Sequence, residues 1–350
     1  SLGLPSRKSE TYRYVSLRHV FAERTTSAAE EATPDADIVF IDGIFAPHLS
    51  QSDALLLSQA YRSYGSFLKN RLQKVLQDEN DPFAALNCAL HGEGAFLYLP
   101  PKKVYDKPIE ILHIATGSSS IAMPRLQIFA GAESEATFRF KTRAKGAING
   151  AVDLHLEPAS NIKVTFETEG EADWHFESMR AALKRDARLE ALHVTSGSKA
   201  TRYDYRADLL ESGASVALSG LADLDGTREA HSNVLIVHHA PNCTSNQLFK
   251  NIVNGNAHSS FEGKIYVHSE AQQTEAYQLN ANLLLSEGAR AESKPNLEIF
   301  ADDVRASHGA TFGKLEEDEI FYLQTRGLSR SDAEKALVQG FAQEILEKLR

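Results

Sequence analysis

Small residues return at a nearly constant interval through the middle of this 350-residue chain, and that interval limits the possible folds more than any other feature. The segments FAGAESEATFRF, LEPASNIKVTFE, LKRDARLEALHV, LLESGASVALSG and LLSEGARAESKP each place a small residue after a polar or Gly/Pro bend. Each then resumes an alternation of apolar and polar side chains. In register, Ala132, Ala159, Ala187, Ala214 and Ala289 are 27, 28, 27 and 75 residues apart, the last being roughly three steps of about 25. A period of roughly 20 to 50 residues marks a solenoid, whose turns bury their apolar faces only against one another. A β-helix fits the spacing, with small residues where the stacked chain turns a corner and leaves little room. Alanine and the acids are also common enough to align without such a cause, so the spacing alone leaves another strand-rich fold open.

The periodicity divides the chain in three. Residues 1–96 read as an N-terminal helical region, because Leu55, Leu56, Ala60, Tyr61 and Tyr64 share one stripe and Leu68, Leu72 and Leu76 follow at fourfold spacing. Gly65 is expected to break or bend that helix. A second short helix is expected in DPFAALNCAL, with Asp81 as N-cap, Pro82 in the first turn and Cys88 on the last. Residues 97–312 read as the β-helix core, rich in alternating runs such as IEILHIA, IKVTFE and KIYVHSE. Residues 313–350 turn helical again. Gly327 serves as a left-handed C-cap, Ser329 with Asp332 as a capping pair, and Ala333, Leu337, Phe341, Ile345 and Leu349 form an apolar stripe. Such a stripe seats on the protein's own core or on a partner.

The totals exclude several classes of function. With 42% hydrophobic residues, 24% charged residues and a net charge of −10, the chain reads as globular and lacks the basic footprint of a nucleic-acid binder. Two cysteines, Cys88 and Cys243, make neither a disulfide framework nor an all-cysteine metal site, which fits a reducing cytoplasm. The first residues show no apolar leader, and runs such as ANLLLS fall far short of the roughly 20 residues of a membrane span. No signal, anchor or membrane segment is therefore expected. No Walker loop, dinucleotide fingerprint, GxSxG elbow or HExxH helix occurs either.

What remains for chemistry is sparse. His238 and His239 are adjacent and point to opposite faces of a strand. Asp302 and Asp303 diverge in the same way and suit a bend with a salt bridge to Arg305 better than an acid/base pair. Cys243 reads as a weak thiolate candidate or a small buried hydrophobe, and Cys88 as packing. His308, set among the small residues of SHGAT, should present an accessible imidazole, which suits iron or zinc when a partner completes the shell. A plain surface histidine fits the spacing as well.

Four stretches carry a resemblance to a known family. SKPNLEIFADDVRASHGATFGKLEEDEIFYLQTRGL, NQLFKNIVNGNAHSSFEGKIYV, AQQTEAYQLNANLLLSEGARAESKP and GLPSRKSETYRYVSL together resemble the SufB/SufD family of iron–sulfur cluster assembly proteins, on its SufD side. The likeness extends over nearly the whole chain. It implies a mainly β fold, a right-handed parallel β-helix between helical ends. It also implies a cytoplasmic, non-catalytic scaffold subunit that pairs with SufB through the β-helix and binds the ATPase SufC through its C-terminal helices. On that reading Phe321, Arg326, Leu337 and Phe341 lie in the SufC docking region, and ATP hydrolysis belongs to SufC. His308 would meet a nascent Fe–S cluster or iron shared with SufB, with no cofactor held tightly by the isolated chain. Relatives often carry a cysteine where this sequence has Ala306, so the ligand role rests on His308. A homodimeric scaffold and, less in keeping with the residues, a carbohydrate-active β-helix are the other readings.

Overall fold

Runs that alternate apolar and polar residues form strands, and here, apart from the antiparallel pairs of Ile38–Ile41 with Ile44–Phe45 and of Leu55–Leu56 with Ala95–Leu99, those strands stack in parallel rather than folding into hairpins. The computed structural model describes residues 5, 9–15, 36–65, 68, 79–117, 121–169 and 172–349. In chain order the strands are β1 (Ile38–Ile41), β2 (Ile44–Phe45), β3 (Leu55–Leu56), β4 (Ala95–Leu99), β5 (Ile109–Ala115), β6 (Arg125–Ala130) and β7 (Glu135–Ala144). They continue as β8 (Gly146–Leu156), β9 (Asn161–Glu169), β10 (Ala172–Leu183), β11 (Arg188–Thr195), β12 (Ala200–Leu209) and β13 (Ser215–Leu224). The last are β14 (Glu229–His238), β15 (Thr244–Val253), β16 (His258–Val267), β17 (Thr274–Leu284), β18 (Arg290–Ile299) and β19 (Val304–Gly313). The helices are α1 (Leu57–Ser63), α2 (Pro82–Leu90), α3 (Glu317–Thr325) and α4 (Arg330–Leu346).

From β5 onward the odd strands stack into one sheet and the even strands into another, so each turn lays one strand in each. The result is the parallel β-helix expected from the repeat, with about seven turns. Its interior is the core, filled by Phe138, Phe140, Phe166, Tyr205, Phe249 and Phe261 among others.

The corners explain the repeat. Lys102, Glu133, Ala159, Asp186, Gly213, Asn242 and Gln273, 26 to 31 residues apart, all have φ between 57° and 77°. Each therefore turns the chain through the left-handed region once per turn. Through most of the stack their N–H groups donate to the next turn, as from Ala159 to the Arg185 carbonyl and from Asn242 to that of Gln272. The following residues, Ser134, Ser160, Ala187, Ala214, Cys243 and Thr274, form a fully buried column of small side chains. The alanine register is thus corrected: Ala187 and Ala214 belong to the column, Ala159 is a left-handed corner residue, and Ala132 lies before the corner. Ala289 precedes β18, at the opposite corner.

Among the described residues the N-terminal region contributes strands as well as helices. β1 pairs with β5 and β3 with β4, which closes the first turn, and Leu55 and Leu56 are strand residues. α1 ends at Ser63, with Tyr64 as its C-cap immediately before Gly65, and the expected continuation through Leu72 and Leu76 lies outside the described residues. α2 forms as expected, with Asp81 accepting from the N–H groups of Phe83 and Ala84 at 2.9 Å. It packs Phe83 on Trp174 and Phe176, against the outer face of the even sheet. At the other end Gly327 has φ +94° and Ser329 caps α4. The α4 stripe seats Ala342 and Ile345 on Leu192, Leu221, Leu248 and Ile252 of the odd sheet's outer face. Among the described residues no helix is long and apolar enough to cross a membrane.

Candidate functional site

The stack ends on β18 and β19, each paired on one side only among the described residues. His308 sits in the middle of β19, exposed, and its in-register partners define where it points. The column runs Phe138, Val164, Ala191, Leu218, Gln247, Gln278, His308. The first four are core side chains, so by the alternation of strand residues His308 lies on the interior face of the last turn. It is accessible because no further strand among the described residues covers it.

The core turns polar as it approaches this end. Gln278 Nε2 donates to Gln247 Oε1 at 2.8 Å, and both side chains are buried. Asn251 Nδ2 donates to Asn282 Oδ1, and Asn282 Nδ2 to Asn280 Oδ1, each at 2.8 Å, while Asn280 reaches the Phe249 carbonyl. Gln278 Oε1, buried beside His308 in the register, has no hydrogen-bond donor among the described residues. Gly263 makes room for this amide, because a Cβ there would lie 2.1 Å from Gln278 Nε2. The sequence reading missed this ladder. Its trace was the amide residues at interior positions of NQLFKNIV and YQLNANLLL, where alternation calls for apolar side chains.

Other candidates fall elsewhere. Ala306 shares the inner face of β19 with His308 and packs against the apolar cluster that includes its register partner Ala276, so a cysteine there would stand two residues from the imidazole on the same side. Cys243 occupies the corner column with its thiol raised by burial, and its Sγ lies 3.4 Å from the Glu211 carbonyl. Two strands and four residues separate its column from His308, about 13 Å along the strand and 9–10 Å across. The two cannot share one ion. Cys88 is half-buried on α2, with its thiol also raised by burial.

His238 and His239 diverge as expected. His238 is buried with Nε2 2.9 Å from Ser245 Oγ, whereas His239 pairs outside with Asp208 at 2.9 Å. Arg305 pairs with Glu275 at 3.3 Å instead of with Asp302 or Asp303. In the docking region Phe321 and Arg326 are exposed on and after α3, and Leu337 is half-buried. Phe341 packs inward beneath Lys250, whose Nζ lies 5.2 Å from its ring centre and donates to its carbonyl. Arg330 bridges the two helices by paired bonds to Glu317 at 2.6 and 2.9 Å.

The family model for the SufBD core domain of SUF-system FeS cluster assembly matches residues 113–341. The chain is 29% identical to an iron–sulfur cluster assembly SufBD family protein of Synechocystis, over all of this chain and 84% of that protein. It is 28% identical to the iron–sulfur cluster assembly protein SufD of Escherichia coli, over 99% of this chain and 86% of the relative. Protein ABCI7, chloroplastic, of Arabidopsis thaliana is 28% identical over 98% of this chain and 79% of its own length.

Proposed function

Because the chain belongs to the SufBD family of SUF-system iron–sulfur cluster assembly proteins, we propose that it is a SufD-type scaffold subunit whose open β-helix end pairs with SufB. The observation that carries this reading is the position of His308 on the interior face of an edge strand with a free side. A strand added there would lie about 4.8 Å away, with its side chains within about 5.5 Å of their opposites. That is close enough for one ligand from each subunit to hold the same iron or nascent cluster. The unpartnered Gln278 oxygen is placed to accept from one ring nitrogen of His308 and leave the other for a ligand. Phe300 and Phe312, exposed at the same end, supply apolar area for such an interface.

In this reading α3 and α4 receive the ATPase SufC, whose dimerisation on ATP would pull the scaffold's C-terminal ends together and open the inter-subunit surface to iron and sulfur. Phe321, two-thirds exposed, and Arg326 are the contact residues, with neighbouring Tyr322. Phe341 serves mainly to seat α4 on its own sheet. No turnover is assigned to this chain.

The test is anaerobic cluster reconstitution on the complex co-expressed with SufB and SufC. His308→Ala is expected to lower cluster yield severalfold while the complex still assembles; an unchanged cluster would remove His308 from the ligand set. Phe321→Asp is expected to abolish co-purification of SufC with an unaltered β-sheet circular dichroism spectrum, and retained SufC would overturn the docking assignment. Sizing the chain with and without SufB separates heterodimer pairing from self-pairing through the same edge.

A further inference from the structure

On the outer face of the even sheet, away from His308, four metal-ligating side chains converge from three successive strands. Glu229 and His231 stand two apart on β14, so they share a face, and Val234 and Ile236 of the same strand point into the core. Register places His258 beside Glu229, and Ser260 then Glu292 beside His231. All four donors therefore lie on one outer patch spanning β14, β16 and β18.

His231 Nε2 is 3.2 Å from Glu229 Oε2, and His258 Nε2 contacts Glu292 Oε2. One donor atom from each of Glu229, His231 and His258 lies within 4.8 Å of the others. Ligands of a tetrahedral ion with bonds of about 2.1 Å stand roughly 3.4 Å apart, so these three side chains would draw together on binding an ion, and Glu292, in contact with His258, would supply the fourth ligand. Ser260 Oγ lies 2.7 Å from His231 Nδ1, the outer-shell bond that fixes a ligating imidazole with Nε2 toward the metal. His231 itself is buried.

We infer that Glu229, His231, His258 and Glu292 form a binding site for one divalent transition metal of the zinc or iron(II) class. Two carboxylates balance the ion's charge, while the two imidazoles select against magnesium and calcium. Arg202 and Arg290 are the nearby cations in the register. Arg202 is neutralised by Asp204 at 2.7 Å and Asp81 at 3.3 Å, and Arg290 is exposed to solvent. Glu292 belongs to β18, an edge strand of the open end, so the ion would pin that strand to the two turns before it.

The site is independent of the His308 reading, and its test keeps the two apart. Full-length protein stripped with a chelator and dialysed is titrated with Co²⁺, whose visible absorption reports coordination geometry. The wild type and His308→Ala are each expected to take up one Co²⁺ per chain with tetrahedral-type bands that Mg²⁺ does not displace. Ser260→Ala should bind about tenfold more weakly, and His231→Ala with His258→Ala should lose the bands. Absence of uptake by the folded wild type overturns the site, as does uptake unchanged in the histidine variants. Should the buried His231 variant fail to fold, Glu292→Gln on the partly exposed edge strand decides: weakened uptake supports the site, and undiminished uptake overturns it.

Discussion

Ala159 holds φ at 57°, in a region that costs an L-residue with a Cβ roughly 1 kcal/mol or more. The corner keeps it there because its N–H donates to the Arg185 carbonyl of the next turn and no other conformation continues that ladder. Glycine removes the clash without touching the bond, so Ala159→Gly is expected to raise unfolding free energy by about 0.5–1 kcal/mol in a urea titration. Arg125 and Asp153 pose the opposite case, a buried ion pair on the even sheet's outer face with Arg125 also donating to Asn87. Asp153→Ala would strand a buried guanidinium and is expected to cost about 3–5 kcal/mol, whereas replacing both partners with apolar residues should cost much less. A double-mutant cycle measures the difference. Asp81 joins the two themes: its cap was legible, but its bonds to the Tyr12 hydroxyl at 2.5 Å and to Arg202 were not, since those partners lie 69 and 121 residues away in sequence.

Among the elements, α4 is the one whose attachment is easiest to break selectively. Its mean burial is low, and it is held by Ala342 and Ile345 against four aliphatic side chains of β11, β13 and β15, with Lys250 and Lys348 bonding across the seam. Ile345→Ala is expected to cost about 2–5 kcal/mol locally. Its signature should be faster hydrogen exchange and proteolysis in residues 313–349 with the β-helix still protected. Uniform loss of protection would mean that α4 and the solenoid unfold as one unit. The apolar stripe of α4 was readable at helical spacing; its docking surface was not, because Leu192, Leu221, Leu248 and Ile252 lie on strands whose inner face already accounts for a core.

At the scale of the whole molecule the solenoid buries histidines that have no room for charge. Burial pushes His113 and His193 down to about 3, with a smaller contribution from His175, and pushes His238 down to about 4, with a smaller one from His239. These groups are neutral when folded and bind protons when unfolded once the pH falls below about 6.5. Their contribution is therefore complete above that pH and is lost as pH falls toward 4 and 3, each histidine removing about 2 kcal/mol between pH 7 and pH 5. Stability measured by denaturant at several pH values should fall steeply in that window. His113→Phe, placed between Phe40 and Phe140 whose rings already pack on the imidazole, should flatten the profile by about one such share. An unchanged slope would show that His113 titrates freely in the folded state.

What the sequence determined by itself is what local chemistry dictates: alternating runs become strands, Asp81 and Ser329 cap helices, Gly327 ends one, and a recurring bend with small residues behind it implies stacked turns. The same alternation made His238 and His239 diverge. Tertiary structure alone decided the rest. Serine, cysteine and threonine complete a column that the sequence displayed only as alanines, because the corner selects for volume and not for residue type. Leu55 and Leu56 joined a strand because β4 offered an edge to pair with, which helical spacing could not reveal. Whether His308 is a surface residue or faces an open core depends on the six side chains stacked beneath it, and Glu229, His231, His258 and Glu292 meet only because a turn of the solenoid brings residues about 30 apart into register.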